Sequence, residues 1–513
     1  MKRFSAWILV MMLLICQASA AAEDALSPSG VTYEIFVASF ADSDGDGCGD
    51  LRGVIDKLDY IESLGVSRIW LMPIHPSPSY HKYDVTDYYA VDPSYGTLDD
   101  FDVLTAACAA RGIDVMIDLV VNHTSSEHPW FKNACNALQE GIDSPVINWY
   151  NFTQGSGQHP VNGTDWYYEG QFVYSMPDLN LDNDEVRAEI ASIIAFWQRH
   201  GVKGFRLDAC TSYYTGANGK SADFIRFVTE TAKANDPDCY LVGEVWDTQQ
   251  TILDMYASGI DSLFNFPAAD VDGRFIKSAL NGTGASCAAF MADWNARLKA
   301  VAPASVDAPF LTNHDLARVR GMVRSDAAKM KTAAMLYLLM PGYPTVYYGE
   351  ELGMSGSGKD ENKRQAMLWS YEDASQNCLS PADCDQAQKL KQGVDVQDAD
   401  PDSLLNTYRA LIALRAQAPE LVHGTMTALD AGNDAVCFFR VDDGNNAVAV
   451  LVNAGSEDVT ADVAQLFNTR VIGSVGNVET PGDWLTPLRS DRPDASWARL
   501  GPASCILLRI SKK

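Results

Sequence analysis

The chain has 513 residues, 47% hydrophobic and 10% aromatic, which is enough apolar surface for a large core and excludes a disordered chain. Its formal charge of −28 repels polyanions and argues against a nucleic-acid partner, without naming any other. At about 150 residues per domain the length allows about three domains, or one large barrel with attachments.

The first twenty residues read as a secretory signal peptide. Lys2 and Arg3 form the charged start, an apolar stretch follows, and Ala18-Ser-Ala20 is an A-x-A cleavage site. The apolar stretch falls short of the ~20 residues a membrane span needs. An exported protein, extracellular or periplasmic after cleavage near Ala20, is therefore expected, with no membrane span. Of eleven cysteines, ten remain after that cleavage, an even number in an oxidising compartment. Cys378 and Cys384, which bracket a short polar loop, are the expected disulfide pair.

The first motif of the mature chain is Asp42-Ser-Asp-Gly-Asp-Gly-Cys-Gly-Asp50. Acids at alternate positions, with glycines that permit a tight turn, can wrap oxygen ligands around a hard cation. The spacing is similar to the front half of an EF-hand, but the twelfth position is Gly53 where that loop needs a bidentate glutamate, so an EF-hand is excluded. Four acids in nine residues repel one another unless a cation sits among them. Calcium held by Asp42, Asp44, Asp46, the Cys48 carbonyl and Asp50 is the expectation.

Apolar, strand-like runs then recur at 31–37, 68–72, 115–121, 202–207, 240–245, 262–266, 309–311 and 345–348. Amphipathic stretches such as 100–111 and 184–200 lie between most of them. Eight strands separated by helices predict a (β/α)₈ barrel (TIM barrel), an α/β fold whose chemistry sits at the carboxyl ends of the strands. Residues 123–180 are rich in Gly, Asn, Tyr and Trp with little periodicity, and read as a small inserted domain after strand 3, over the barrel mouth. From about 418 the runs become short and alternating, which predicts a C-terminal all-β domain, a β-sandwich, over 418–513. The barrel itself is assigned to 21–122 and 181–417.

Three strand ends carry acids. Lys203-Gly-Phe-Arg-Leu-Asp208 places Arg206 and Asp208 on one side of its strand. A cation beside a carboxylate keeps it ionised, which suits a nucleophile or electrostatic stabiliser. Val242-Gly-Glu-Val-Trp246 delivers Glu244, and Phe310-Leu-Thr-Asn-His-Asp315 delivers His314 and Asp315. Together they predict a carboxylate-based active site.

These stretches resemble the motifs of glycoside hydrolase family 13, the α-amylase family, in order and over nearly the whole chain. Asp118-Leu-Val-Val-Asn-His123 is similar to its first conserved region, 204–208 to its second, Glu244 to its third and Asn313-His-Asp315 to its fourth. Met176-Pro-Asp-Leu-Asn180 resembles the fifth region, and the segment with Pro344-Thr-Val-Tyr-Tyr-Gly-Glu350 resembles that around the eighth strand. The resemblance implies Asp208 as nucleophile, Glu244 as general acid and then base, and Asp315 as stabiliser of the oxocarbenium-like transition state. Arg206 would keep the Asp208 pKa low while that of Glu244 is raised. His123 and His314 would bind sugar hydroxyls, Tyr83 would stack on the sugar ring, and Asp118 would be a structural partner of Arg206. Asn122 marks a second calcium position in many members and is left open. Arg364 and Trp369 match a downstream segment to which no chemistry is assigned.

The family implies an α-glucan substrate and a monomeric hydrolase. Members that trim single glucoses carry an acid three positions before the stacking tyrosine; here that position is Tyr80, which favours endo-acting α-amylase. The alternatives are an α-glucosidase, cyclomaltodextrinase or transglycosylase on short α-glucans and, remotely, a non-catalytic glucan-binding protein. Tyr213, Tyr214, Trp149 and Trp166 are candidate sugar platforms.

Overall fold

The computed structural model of the chain describes residues 29–462, 469–478 and 497–512; the expected signal peptide lies outside the described residues. Ten strands precede the C-terminal region. They are β1 (Thr32–Ile35), β2 (Arg68–Leu71), β3 (Asp114–Leu119), β4 (Phe152–Gln154), β5 (His159–Pro160), β6 (Trp166–Tyr168), β7 (Val202–Leu207), β8 (Tyr240–Gly243), β9 (Ser262–Leu263) and β10 (Thr345–Tyr347).

Seven of them form one parallel sheet in the order β10-β1-β2-β3-β7-β8-β9. Single parallel bridges from Phe264 to Ala308 and from Phe310 to Thr345 join its two edges. The segment around 308–310 is therefore the seventh stave, and the ring closes as a (β/α)₈ barrel. This stave is shorter than its apolar run suggests because Pro309 has no N–H to give a ladder, although its carbonyl accepts from Thr345.

Both faces of the staves are covered, so their sequences run almost continuously apolar. The outer helices begin where side chains cap them. Thr97 and Asp100 form a capping box at Leu98–Ala109, and Asn183 caps Asp184–Arg199. The second of these buries Val186, Ile190, Ile193, Ile194 and Trp197, a stripe at helical spacing.

The span between β3 and β7 holds the helix Pro129–Glu140 and a small antiparallel sheet, ordered β4-β6-β5. The helix, not expected within this Gly- and Asn-rich stretch, buries Phe131, Ala134 and Ala137 at helical spacing. Isolated bridges from His123 to Asp178 and from Tyr150 to Leu179 pin this insert at the carboxyl end of β3.

After the helix Glu420–His423, the strands Thr425–Ala428, Val436–Asp442, Ala447–Asn453, Ser504–Lys512 and Thr469–Val478 form an antiparallel sheet, and Val459–Asp462 pairs with Trp497–Leu500. Alternation is visible side chain by side chain: Cys437, Phe439 and Val441 join the main core, whereas Val436 and Phe438 enter a separate cluster on the far face. The helix Gly284–Val301 packs on this sheet at its first residue, where a Cβ on Gly284 would lie 2.3 Å from the Cys437 nitrogen.

Arg415, 1% exposed, gathers distant parts of the barrel. Its guanidinium donates to the carbonyls of Ser29 (2.8 Å), Leu338 (2.8 Å), Met340 (2.7 Å), Leu421 (3.3 Å) and Gly342.

The expected Cys378–Cys384 bridge is not formed; both residues are thiols. Buried Cys378 faces the acidic loop, its sulfur 3.1 Å from where a Gly49 Cβ would be, while Cys384 turns its thiol to Asn362 and to the Gln386 carbonyl.

Candidate active site

Arg206 is the centre of the site. It is 1% exposed, and β7 ends with it pointing toward the barrel mouth among three carboxyl groups. Its Nη1 lies 2.6 Å from Asp118 Oδ1 and 2.5 Å from Asp208 Oδ1, and its Nη2 lies 3.0 Å from Glu244 Oε2. Trp70 also donates to Asp118, at 2.9 Å, which makes Asp118 the buried anchor of the guanidinium. Asp208 and Glu244, held on the two ends of one planar fork, therefore face each other across a few ångströms.

The sequence assigns the pKa difference between these two acids to Arg206. The structure divides the causes differently, because Arg206 touches both. Burial is the largest influence on Glu244 and raises its pKa; Arg206 opposes it, and Asp208 and Asp315 add to it, leaving the carboxyl pushed up to about 7. Glu244 also accepts from the Ala209 N–H at 2.9 Å, a residue held in the left-handed region at φ 48°. A carboxyl that keeps its proton near neutral pH can serve as a general acid.

Asp315 faces them from the segment after the seventh stave. Its Oδ1 is 2.9 Å from Arg364 and its Oδ2 is 3.2 Å from Nε2 of His314. Burial would raise its pKa, but His314 and Arg364 hold it well below the usual carboxylate range. Arg364, assigned no chemistry from its motif, is thus a site residue; it also reaches the Tyr80 hydroxyl at 3.1 Å.

A cleft of about 310 Å³ opens on these groups and is lined by Asp208, Glu244, Asp315, Tyr83, His123 and Arg364, with Trp246, Phe172 and Met176 among its apolar walls. Tyr83 lies over the His314 ring, centroids 5.5 Å apart and nearly parallel, so its face is presented at the cleft. His123 donates from Nε2 to the Tyr83 carbonyl (3.2 Å), and burial lowers its pKa, favouring the neutral ring. His314 itself sits behind Tyr83 and Asp315 rather than on the lining. Of the candidate platforms, Tyr213 is buried against Phe224, Tyr214 bonds Asp182 and Trp149 bonds Glu185. Trp246, 53% exposed and stacked on Phe266, and Phe172, 51% exposed, take that place in the cleft.

Asn122 stands at the junction of the barrel and the insert. Its amide donates to Asp178 Oδ1 at 3.1 Å, the Gln171 N–H donates to Asp178 Oδ2 at 3.2 Å, and the Gln171 amide reaches the Ser212 carbonyl at 2.9 Å. Hydrogen bonds join the insert to the barrel at this corner.

The acidic loop lies after β1, apart from the cleft. Carboxylate oxygens of Asp42, Asp44 and Asp50 lie within 4.8 Å of one another. Asp42 is buried and also accepts from the N–H groups of Gly45 and Gly47, both at 2.7 Å, and Asp50 caps the following helix through Gly53. No ion pair among the described residues reaches the three. Asp46 is exposed and bonds the Cys48 N–H instead of joining the cluster.

A barrel whose strand ends converge an acid of raised pKa, a second carboxylate on the same arginine and a third carboxylate in one cleft has the site of a glycoside hydrolase. Comparison with known proteins agrees. The family described as "Alpha amylase, catalytic domain" matches residues 34–424, and the chain belongs to that family, glycoside hydrolase family 13. It is 34% identical to Alpha-amylase 3 of Dictyoglomus thermophilum, covering 94% of this chain and 93% of that protein. It is 31% identical to a trehalose-6-phosphate hydrolase of Escherichia coli, covering 84% and 91%. Among solved structures, Eubacterium rectale Amy13B superposes with a TM-score of 0.86 at 39% identity over 95% of this chain and 97% of that one. The α-amylase from H. orenii superposes with a TM-score of 0.81 at 34% identity over 93% and 99%.

Proposed function

We propose that the protein is a secreted, calcium-binding α-amylase that hydrolyses internal α-1,4 bonds of starch, glycogen and maltooligosaccharides with retention of configuration. Tyr80 carries this reading. Where single-glucose trimmers would place an acid to close the pocket, this chain carries a tyrosine, tied to the cleft residue Arg364. Asp208 attacks the anomeric carbon while Glu244 protonates the leaving oxygen. The resulting glycosyl-enzyme is then hydrolysed by a water that Glu244 deprotonates. Asp315, fixed by Arg364, binds the sugar ring as positive charge develops on it. The protein is exported through its N-terminal segment and works as a monomer. A product time course on amylose tests the specificity: a spread of α-configured maltooligosaccharides should appear before glucose. Glucose alone from the start would move the assignment to the α-glucosidase reading, which the relatives' mixed names keep in view.

The donor set of the acidic loop fits calcium: hard carboxylate oxygens brought together and a chain turned by Gly45 and Gly47 at positive φ. Asp42, Asp44 and Asp50 would hold the ion, with the Cys48 carbonyl and Asp46 as further oxygens. It would neutralise the loop and brace the chain after β1. A chelator is expected to lower the melting temperature by several degrees and added calcium to restore it, since saturation a hundredfold above Kd is worth about 2.7 kcal/mol. Asp44→Asn should blunt that response; a melting temperature indifferent to both reagents would remove calcium from the account.

A further inference from the structure

Glu34 is a fully buried carboxylate in β1, and the sequence attaches no role to it. Its Oε1 lies 2.5 Å from Nδ1 of His314, which is 1% exposed, and its Oε2 has no hydrogen-bond partner. The other ring nitrogen, Nε2, is 2.7 Å from the Tyr83 hydroxyl and 3.2 Å from Asp315 Oδ2. A neutral imidazole carries one N–H, and an ionised carboxylate only accepts. Here each nitrogen faces a carboxylate, so both must donate and the ring must carry two protons. The Tyr83 hydroxyl can then accept from Nε2 and donate onward to Asp118, 3.4 Å away.

We propose that Glu34 is a positioning residue of the active site: it holds His314 as an imidazolium, which clamps the Asp315 carboxylate and the Tyr83 hydroxyl at the cleft wall. Glu34 touches no lining group and acts only through the ring. The role rests on the glycosidase reading given above. The charged and titratable groups facing His314 are Glu34 from β1, Tyr83 from the loop after β2, Asp118 from β3, Arg206 from β7, the adjacent Asp315, and Arg364, which donates to the His314 carbonyl. Burial alone would lower the pKa of the ring, but Asp315 and Glu34 outweigh it and push it up to about 10. The His314 ring also meets Trp70 edge to face, centroids 5.8 Å apart. Without the Glu34 charge the ring would shed its second proton at lower pH and turn a lone pair toward Asp315. A charge-assisted donor would become a repulsive contact.

Glu34→Gln keeps the shape and the acceptor for Nδ1 while removing the charge. Histidine-labelled protein, with the His314 resonance assigned from its loss in His314→Asn, is titrated by NMR. In the unaltered chain His314 should remain an imidazolium beyond pH 8; in Glu34→Gln its midpoint should fall by roughly one unit or more. On maltooligosaccharides, kcat/KM of Glu34→Gln should approach that of the parent at pH 5 and fall roughly tenfold below it above pH 8. The alkaline limb should steepen as a second proton becomes essential. A His314 that titrates near its ordinary pKa in the unaltered chain overturns the proposal, and that reading needs no variant to fold. A variant with reduced thermal stability but an unchanged pH profile overturns it as well. Absence of any glycosidase activity in the unaltered chain would refute the functional reading instead, while the NMR titration would still decide the state of the ring.

Discussion

Asp208→Asn is expected to lower kcat on an α-glucan by about 10⁴-fold or more while leaving the protein folded. The amide has the shape of the carboxylate but cannot form the glycosyl-enzyme, so the loss falls on chemistry rather than on binding. Folding should survive because the substitution does not strand the buried guanidinium: Arg206 retains Asp118 at 2.6 Å and Glu244 at 3.0 Å. KM for maltooligosaccharides should accordingly change far less than kcat, and thermal unfolding should shift only modestly. Rate measurements with matched melting curves check both halves. A variant that turned over at the parental rate would show that the nucleophile has been misassigned, and the double-displacement mechanism would go with it.

Glu244→Gln carries the second large effect, and its signature is a dependence on the leaving group. The parent acid is pushed up to about 7 by burial, so it is protonated below that pH and lost as the pH rises through it. Activity of the unaltered enzyme should therefore decline on the alkaline side with an apparent midpoint near neutrality, and the glutamine variant should lack that limb. General-acid help is worth ~10²–10⁴-fold. The variant should lose about that factor on a natural glucan, whose leaving oxygen needs a proton. In kcat/KM, which reports formation of the glycosyl-enzyme, it should lose much less on an activated substrate such as α-glucosyl fluoride, which leaves unaided, although turnover of that intermediate still lacks its base. Equal losses on both substrates would show that Glu244 holds geometry rather than transferring a proton.

Most of the barrel and the three acids could be read from local pattern. Asp208, Glu244 and Asp315 each close an apolar run, and barrel topology alone brings strand ends together, so position on the strand predicted convergence. The Arg206–Asp208 pairing followed from the two-residue period of β7. What escaped depends on contacts between distant stretches. Glu34 looks like one acid in an apolar strand, and its partner lies 280 residues away. Arg364 joins Asp315 across a long loop, and nothing local marks that meeting. Tyr213 was a plausible sugar platform by type but is buried on Phe224, because exposure is set by tertiary packing. Cys378 and Cys384 are near in sequence, yet their side chains point to different neighbours. The helix Pro129–Glu140 is obscured by the Gly-, Asn- and Trp-rich stretch in which it lies, although Phe131, Ala134 and Ala137 recur at helical spacing on its buried side.

The way the ring closes bears on how the chain reaches this structure. β1 pairs with β10, Thr32 opposite Thr345, so the first stave meets its last neighbour only after about 300 further residues have been made. Arg415 then joins the carbonyls of Ser29, Leu338 and Met340, none of which it can reach before both ends of the ring are in place. During synthesis one edge of β1 is therefore an unpaired template of backbone donors and acceptors. Contacts of such high sequence separation form slowly, and the growing chain is exposed to wrong pairings for as long as that edge stays open. Completion of the barrel is a late event, and a chain cut short before β10 would be left with an open ring.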